Sequence, residues 1–206
     1  MNPYDRYLLP WVIDLACGIR PVQRQRRKVV PLAHGEVLEI GVGTGRNLAF
    51  YDRARVTRLC ALDPAPQMHR LARKRATAAG LEVELLVLPA DRIPAADASF
   101  DCVVCTYTLC TIPEPVPALR EMRRVLRPGG ELLFCEHGLA PDPGVRRWQA
   151  RLTPAWKPLA GGCHLDRDIP GLLHEGGFAL REMDAMYLPG PRPLTYNYWG
   201  RAVAAA

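Results

Sequence analysis

The sequence predicts an α/β fold with a doubly wound parallel sheet, and three observations predict it. Short apolar runs alternate with amphipathic helical runs from Glu36 onward, the pattern of successive βαβ units. The first apolar run ends in a glycine turn, "VLEIGVGTG", at residues 37–45. Two acidic residues, Asp63 and Asp91, follow the second and third runs, at the strand ends where open α/β sheets bind ligands. With 206 residues, the chain suits one domain with a sizeable core, expected over 1–206.

The elements follow in order. Tyr4, Tyr7, Leu8, Trp11, Val12 and Leu15 recur at helical spacing, an amphipathic helix that Pro10 should kink. A second helix, Pro21 to Val30, carries "RQRRK", and the two together form an expected helical lid over 1–33. After the first strand and its glycine turn a helix should open. "RLCALDP" is the second strand, and "QMHRLARKRATAAG" a helix that Gly80 caps. "VELLVLPAD" and "FDCVVCTY" are strands three and four. "VPALREMRRVL" is a helix stopped by "RPGG", and "GELLFCEHG" is strand five. Residues 139–166, with their Pro, Gly and Trp, read as an irregular cap overhanging the strand ends. A short helix, "DIPGLLHEGGF", leads to "ALREMDAMYL" and "TYNYWGRAVA". No helix separates these last two, so they should pair as an antiparallel hairpin at one edge.

Composition narrows the function classes. An odd number of cysteines, seven, and a charged N-terminus unlike a secretion signal predict reduced thiols in a cytoplasmic protein. No window approaches eighteen uncharged apolar residues, which excludes a membrane-spanning helix. The net charge of +6 permits contact with phosphates or an anionic membrane surface. The basic runs lie on predicted helices, where they read as solvated faces.

Gly41, Gly43 and Gly45 let the backbone turn tightly and let a ligand approach main-chain atoms. Arg46 stands where a dinucleotide fingerprint wants its third glycine, which weakens a nicotinamide reading. Asp63 is spaced to accept both hydroxyls of a ribose, and Asp91 to accept from an adenine amino group. Either alone could be a turn or cap residue. Together with the glycines they define a nucleotide-type site.

"VLEIGVGTGRN", "ALDPAPQM", "PADRIPAADASFDCVV" and "ALREMRRVLRPGGELL" together resemble the class I S-adenosylmethionine-dependent methyltransferases, from about Glu36 to Phe134. The resemblance implies a Rossmann-like seven-stranded sheet whose last strand is antiparallel. It implies S-adenosyl-L-methionine as cofactor, leaving S-adenosyl-L-homocysteine. Glu39 and the glycines would then line the methionine end, Asp63 would hold the ribose, Met68 would pack near the adenine, and Asp91 would take its amino group. Cys105 and Thr106 would face the methionine moiety, and Asn47, Pro64 and Arg92 complete the implied set.

"VVCTYTLCTI", "TPAWKPLAGGCHLDRDI" and "YWGRAVA" are similar to a branch that includes membrane-associated alkyl thiol methyltransferases of animals. This implies S-methylation of a small, apolar thiol. N- or O-methylation of a phospholipid head group or quinone-type lipid stays open. An RNA or DNA methyltransferase and a binding-only protein are weaker alternatives, since the motif after strand four, "CTYT", is not that of amino-methylating DNA enzymes.

His137, ending strand five, is the candidate base for the acceptor, or else it satisfies backbone groups of the following loop. Glu136 should point to the opposite face. Tyr7, Trp11, Trp156 and His164 are expected to roof the acceptor pocket, and the N-terminal helix to offer a peripheral membrane contact. Cys102 and Cys105 form a C-x-x-C, but on one strand they point to opposite faces with α-carbons about 10 Å apart. That is too far for a disulfide or a shared metal. They read as small apolar residues.

Overall fold

The computed structural model describes residues 3–205. Strands β1 (Gly35–Ile40), β2 (Val56–Leu62), β3 (Glu84–Leu86), β4 (Phe100–Thr106), β5 (Leu126–His137), β6 (Phe178–Tyr187) and β7 (Tyr196–Ala204) form one sheet. Their order is β3-β2-β1-β4-β5-β7-β6. β1 to β5 run parallel, while β7 pairs antiparallel with both β5 and β6. The expected hairpin is therefore present, with β6 outermost. The chain reverses direction across the sheet between β1 and β4, and a crevice opens at their carboxyl ends.

The central strands are apolar throughout because both faces are covered. On β4, Cys102 and Val104 join one cluster with Val37 and Leu133, whereas Val103 and Cys105 join the other with Leu38 and Phe134. The two cysteines thus occupy opposite faces, as the strand period requires. Six helices flank the sheet: α1 (Leu9–Gly18), α2 (Arg20–Val29), α3 (His69–Ala79), α4 (Pro115–Val125), α5 (Pro143–Leu159) and α6 (Ile169–Glu175). α3 stops at Gly80, whose φ of +63° allows its N–H to reach the carbonyls of Ala76 and Thr77.

Four features depart from the sequence reading. The helix expected after the glycine turn is a single 3₁₀ turn, Leu48–Phe50. Asn47, just before it, spends its side chain on Glu39 and Thr106, and such side-chain bonds compete with helix formation. The third strand keeps only three residues, at the sheet edge.

Residues 139–166 are not irregular, because α5 occupies most of them despite Pro154 and Pro158 inside it. Those prolines each forfeit a helical hydrogen bond, but packing compensates. Gln149 is wholly buried, donating to the carbonyls of Gly138 and Pro193 and accepting from the N–H of Ala140.

The N-terminal helix is also turned about its axis relative to expectation. Tyr7, at 65% exposure, Trp11, at 55%, and Leu15, at 75%, face outward, and Leu9, Ile13 and Cys17 face the crevice. A tighter account of the register was hidden by Pro10: the first turn, Tyr4–Leu8, is π-helical, and α1 begins only at Leu9 with proline in its first turn.

Candidate active site

The crevice has a volume of about 460 Å³, within the usual range for small-molecule sites. Its floor is the glycine turn after β1. Gly43 has φ +50° and no side-chain or backbone atom nearer than 4.0 Å to where a Cβ would stand, so the turn is open toward the crevice. Gly41 and Gly45 do different work. At φ +71° Gly41 lies so close to Thr108 that a Cβ would overlap its side chain, and Gly45 at φ +81° packs on Ala72.

Asp63 ends β2 on the crevice wall. Its Oδ2 accepts from the N–H of Gly43 at 2.9 Å and its Oδ1 from the N–H of Ala65 at 2.8 Å. Burial raises its pKa above the ordinary value, and the two backbone donors oppose that shift. The carboxylate is held in place with lone pairs still directed at the crevice. Pro64, Met68 and Asp91 line the same wall, while Arg92 is exposed and does not.

At the other end lies a buried polar knot. Glu39 accepts from Asn47 Nδ2 at 3.0 Å and from the Tyr51 hydroxyl at 2.8 Å, and burial pushes its pKa up to about 7. Asn47 donates to Thr106 Oγ1 at 3.0 Å. Arg26 of α2 then donates through Nη1 to Asn47 Oδ1 at 2.7 Å and to Thr106 Oγ1 at 2.5 Å. Its guanidinium lies 4.9 Å from the centre of the Tyr107 ring, and its buried Nε has no partner. Tyr107 itself sits at φ +53°, a conformation costing a non-glycine residue on the order of 1–3 kcal/mol. Such strain persists where the surroundings hold it, and here its N–H donates to Cys135 O and its hydroxyl to Asn197.

Sequence reasoning missed Arg26 and Tyr107. Arg26 was hidden inside "RQRRK", which reads as a solvated face, although Gln25, Arg26 and Val29 mark a buried stripe on α2.

Helix α1 is tied to the glycine turn through Asp14. Its carboxylate accepts from Arg46 Nη2 at 2.5 Å, Arg75 Nη1 at 2.7 Å and the Thr44 hydroxyl at 2.6 Å. Burial alone would raise its pKa, but these donors, led by Arg75, hold it well below the usual range.

One expectation after β4 is corrected. Cys105 is an interior strand residue with no exposed surface, its Sγ 3.6 Å from Glu136 Oε1, so it does not face the crevice; Thr106 does. Glu136, on β5, has a structural role. It is fully buried and accepts both carboxylate bonds from the Thr108 N–H, at 2.9 and 3.0 Å, fastening the loop after β4. Burial pushes its pKa up to about 7 as well.

The residues expected at the acceptor do not gather there. His137 is buried with its Nε2 unpartnered, and neither it nor Trp156 or His164 lines the crevice. Tyr7 and Trp11 face away, leaving Leu9, Ile13, Cys17 and Gly161 to wall that end. The C-terminal end of α5 still reaches it, since the Tyr4 hydroxyl donates to Leu159 O at 2.7 Å.

A nucleotide-type crevice at the switch point, with an open glycine turn and an acidic wall, defines a class I S-adenosylmethionine-dependent methyltransferase. Residues 38–134 match the family model described as Methyltransferase domain, and with relatives more than 30% identical over two thirds of their length the chain belongs to this methyltransferase family. It is similar to the human thiol S-methyltransferase TMT1B, 38% identical over 170 residues, covering 80% of this chain and 67% of that protein. It is also similar to a phosphatidylethanolamine N-methyltransferase of Cereibacter sphaeroides, 39% identical over 150 residues, covering 70% and 72%. In fold it resembles a methyltransferase structure from Bacillus halodurans C-125, with a TM-score of 0.69 at 18% identity over 87% of this chain and 95% of that one.

Proposed function

We propose that the chain transfers the methyl group of S-adenosyl-L-methionine to the sulfur of a small, apolar thiol. The residues fit the donor. Asp63 would take the ribose hydroxyls, and the open turn at Gly43 admits the nucleoside against the backbone. Met68 and Asp91 would take the adenine. Glu39, Asn47 and Thr106 frame the methionine end, where the spare Nε of Arg26 would meet the carboxylate. When bound, the sulfonium supplies a methyl group to in-line attack, so the protein has mainly to position the acceptor and exclude water.

The observation that carries the thiol is the chemistry of the acceptor end. Leu9, Ile13 and Gly161 offer it no base, and among the described residues lining the crevice there is no histidine or lysine. A thiol as acidic as cysteine, with a pKa of about 8.5, supplies a few per cent of its own nucleophile at neutral pH, which an alkyl amine near 10.4 does not. The similarity to thiol S-methyltransferases supports the same choice. His137 would then assist only from behind the wall, and Trp156 and His164 would shape the loop above it.

The test is an acceptor panel with labelled donor: small alkyl thiols, a phospholipid amine, a quinol and simple amines. Methylation of thiols alone is expected; transfer only to a lipid head group or quinol would overturn the reading. For His137→Ala, a rate that rises with pH in step with thiolate formation, as in the parent, is expected. Loss of turnover confined to low pH would instead make His137 the base.

A second reading concerns location. Tyr7, Leu8, Trp11, Val12 and Leu15 form an exposed apolar face beside Arg6, Arg20 and Arg24, the composition of an interfacial helix. No helix among the described residues is long and apolar enough to cross a membrane. Peripheral contact through this face would bring apolar acceptors to the crevice mouth. Sedimentation with anionic vesicles tests it, and binding unchanged in Trp11→Ser/Leu15→Ser would refute it.

A further inference from the structure

Behind the acceptor end, two cysteines from distant parts of the chain meet. Cys110 lies in the loop after β4 and Cys163 in the loop after α5, and the N–H of His164 donates to Cys110 O at 2.8 Å, joining the two loops. Cys110 is buried and Cys163 only partly so, and the backbone bond beside them brings the two residues next to each other. The buried Nε2 of His137 and Nε1 of Trp156 have no hydrogen-bond partners, and both residues act on the ionisation of Cys163. Cys17, His164 and Arg167 stand further out. Cys110, with His137 and Trp156, draws Cys163 below the ordinary thiol range while Cys110 is pushed up. Cys163 is the accessible thiol of the two, so an incoming disulfide meets it first, with the buried Cys110 beside it. Gly161 and Thr111, near neighbours of the two cysteines in the chain, line the crevice.

We propose that Cys163 and Cys110 form a dithiol centre that exchanges with small-molecule disulfides, Cys163 as nucleophile and Cys110 as resolving thiol. Cys163 thiolate attacks one sulfur of RS–SR, forming a Cys163–SR mixed disulfide and expelling RS⁻. Cys110 loses its proton to the imidazole of His137 or to water and attacks the Cys163 sulfur. The Cys110–Cys163 disulfide forms and a second RS⁻ leaves. Two cysteine thiols are oxidised and one disulfide is reduced to two thiols, so the electrons balance without another reagent. The pairing fits disulfide chemistry because exchange needs an ionised attacking thiol and a second thiol in reach. The centre uses no methyl donor, and it stands whether or not the acceptor is a thiol.

The reduced, folded protein is mixed with 4,4′-dithiodipyridine at pH 6, and released thiopyridone is followed. Two equivalents are expected in a fast phase, and a non-reducing digest should yield the Cys110–Cys163 linked peptide. Cys110→Ser should release one fast equivalent and retain the mixed disulfide on Cys163. Cys163→Ser should slow the fast phase by about tenfold or more, the advantage of a preformed thiolate at that pH. His137→Ala should move the pH midpoint of the fast phase upward. A fast phase that survives Cys163→Ser, or a digest of the unaltered protein in which Cys163 links to Cys17 or to nothing, would overturn the proposal. The digest needs no variant, and thermal melting of each variant reports its folding.

Discussion

Gly43→Ala separates the site from the fold. At φ +50° an alanine costs about 1–2 kcal/mol in the left-handed region. The added Cβ meets nothing closer than Asp63 Oδ2 and Gly41 O, both at 4.0 Å, so packing adds no further penalty. For a domain of this length each kcal/mol lowers Tm by roughly 2–4 °C, which gives a fall of about 2–8 °C. That methyl group stands in the crevice, where a nucleoside has to approach the backbone, and S-adenosyl-L-methionine should bind about tenfold or more weakly. Gly43→Val should abolish binding. Gly41→Ala makes the contrast: its Cβ would overlap Thr108, whose N–H is tied to Glu136, so strain and overpacking of about 1–3 kcal/mol combine and the loop after β4 has to move. Calorimetric titration with the cofactor, beside thermal melts of all three variants, reads both quantities. Near-native affinity in Gly43→Ala, or equal Tm losses at Gly41 and Gly43, would refute the cradle.

Asp14→Asn keeps the size of the latch but removes the charge that Arg46 and Arg75 share, with an expected loss of about 1.5–3 kcal/mol and faster proteolysis of α1; unchanged cleavage of the N-terminal helix would show that the latch does not hold it. Glu39 and Glu136 give a pH dependence of opposite sign to an ordinary carboxylate. Each is raised from 4.5 to about 7, so between those values the folded chain holds protons that the unfolded chain has released. Their contribution is greatest below pH 4.5 and falls as pH rises toward 7. Urea unfolding between pH 5 and 8 should show this slope, and Glu136→Gln should flatten it while keeping an acceptor for the Thr108 N–H. An unchanged slope in that variant would assign the pH dependence to other groups.

The parts legible in the sequence are those carried by local rules. Strand period, glycine punctuation and the carboxylates at strand ends place Asp63, Asp91 and Gly43 on one crevice before any contact is known. The hairpin of β6 and β7 follows from a missing helix. What stayed hidden depends on partners far away in the chain. Pro154 and Pro158 read as breakers, and only the packing of Gln149 against Gly138 and Pro193 shows why α5 runs through them. Arg26 looked like one of four similar basic residues, and its burial against Tyr107 is a tertiary fact. Likewise the register of the N-terminal helix could not be taken from its most apolar stripe, because the stripe that packs inward is the less aromatic one, Leu9, Ile13 and Cys17.

Arg46 shows how one departure from a familiar pattern reorganises a site. A glycine there would serve close packing of the helix against the strand. Arginine instead sends its guanidinium to Asp14, with Gly18 leaving the space: a Cβ on Gly18 would lie 2.6 Å from Arg46 Cζ. Helix α1 and the glycine turn are therefore fastened by the same pair of residues, and Thr44, within the turn, joins the same carboxylate. Arg75 of α3 bonds both Asp14 and the Thr44 carbonyl, so Asp14, Thr44, Arg46 and Arg75 tie α1, the turn and α3 into one network.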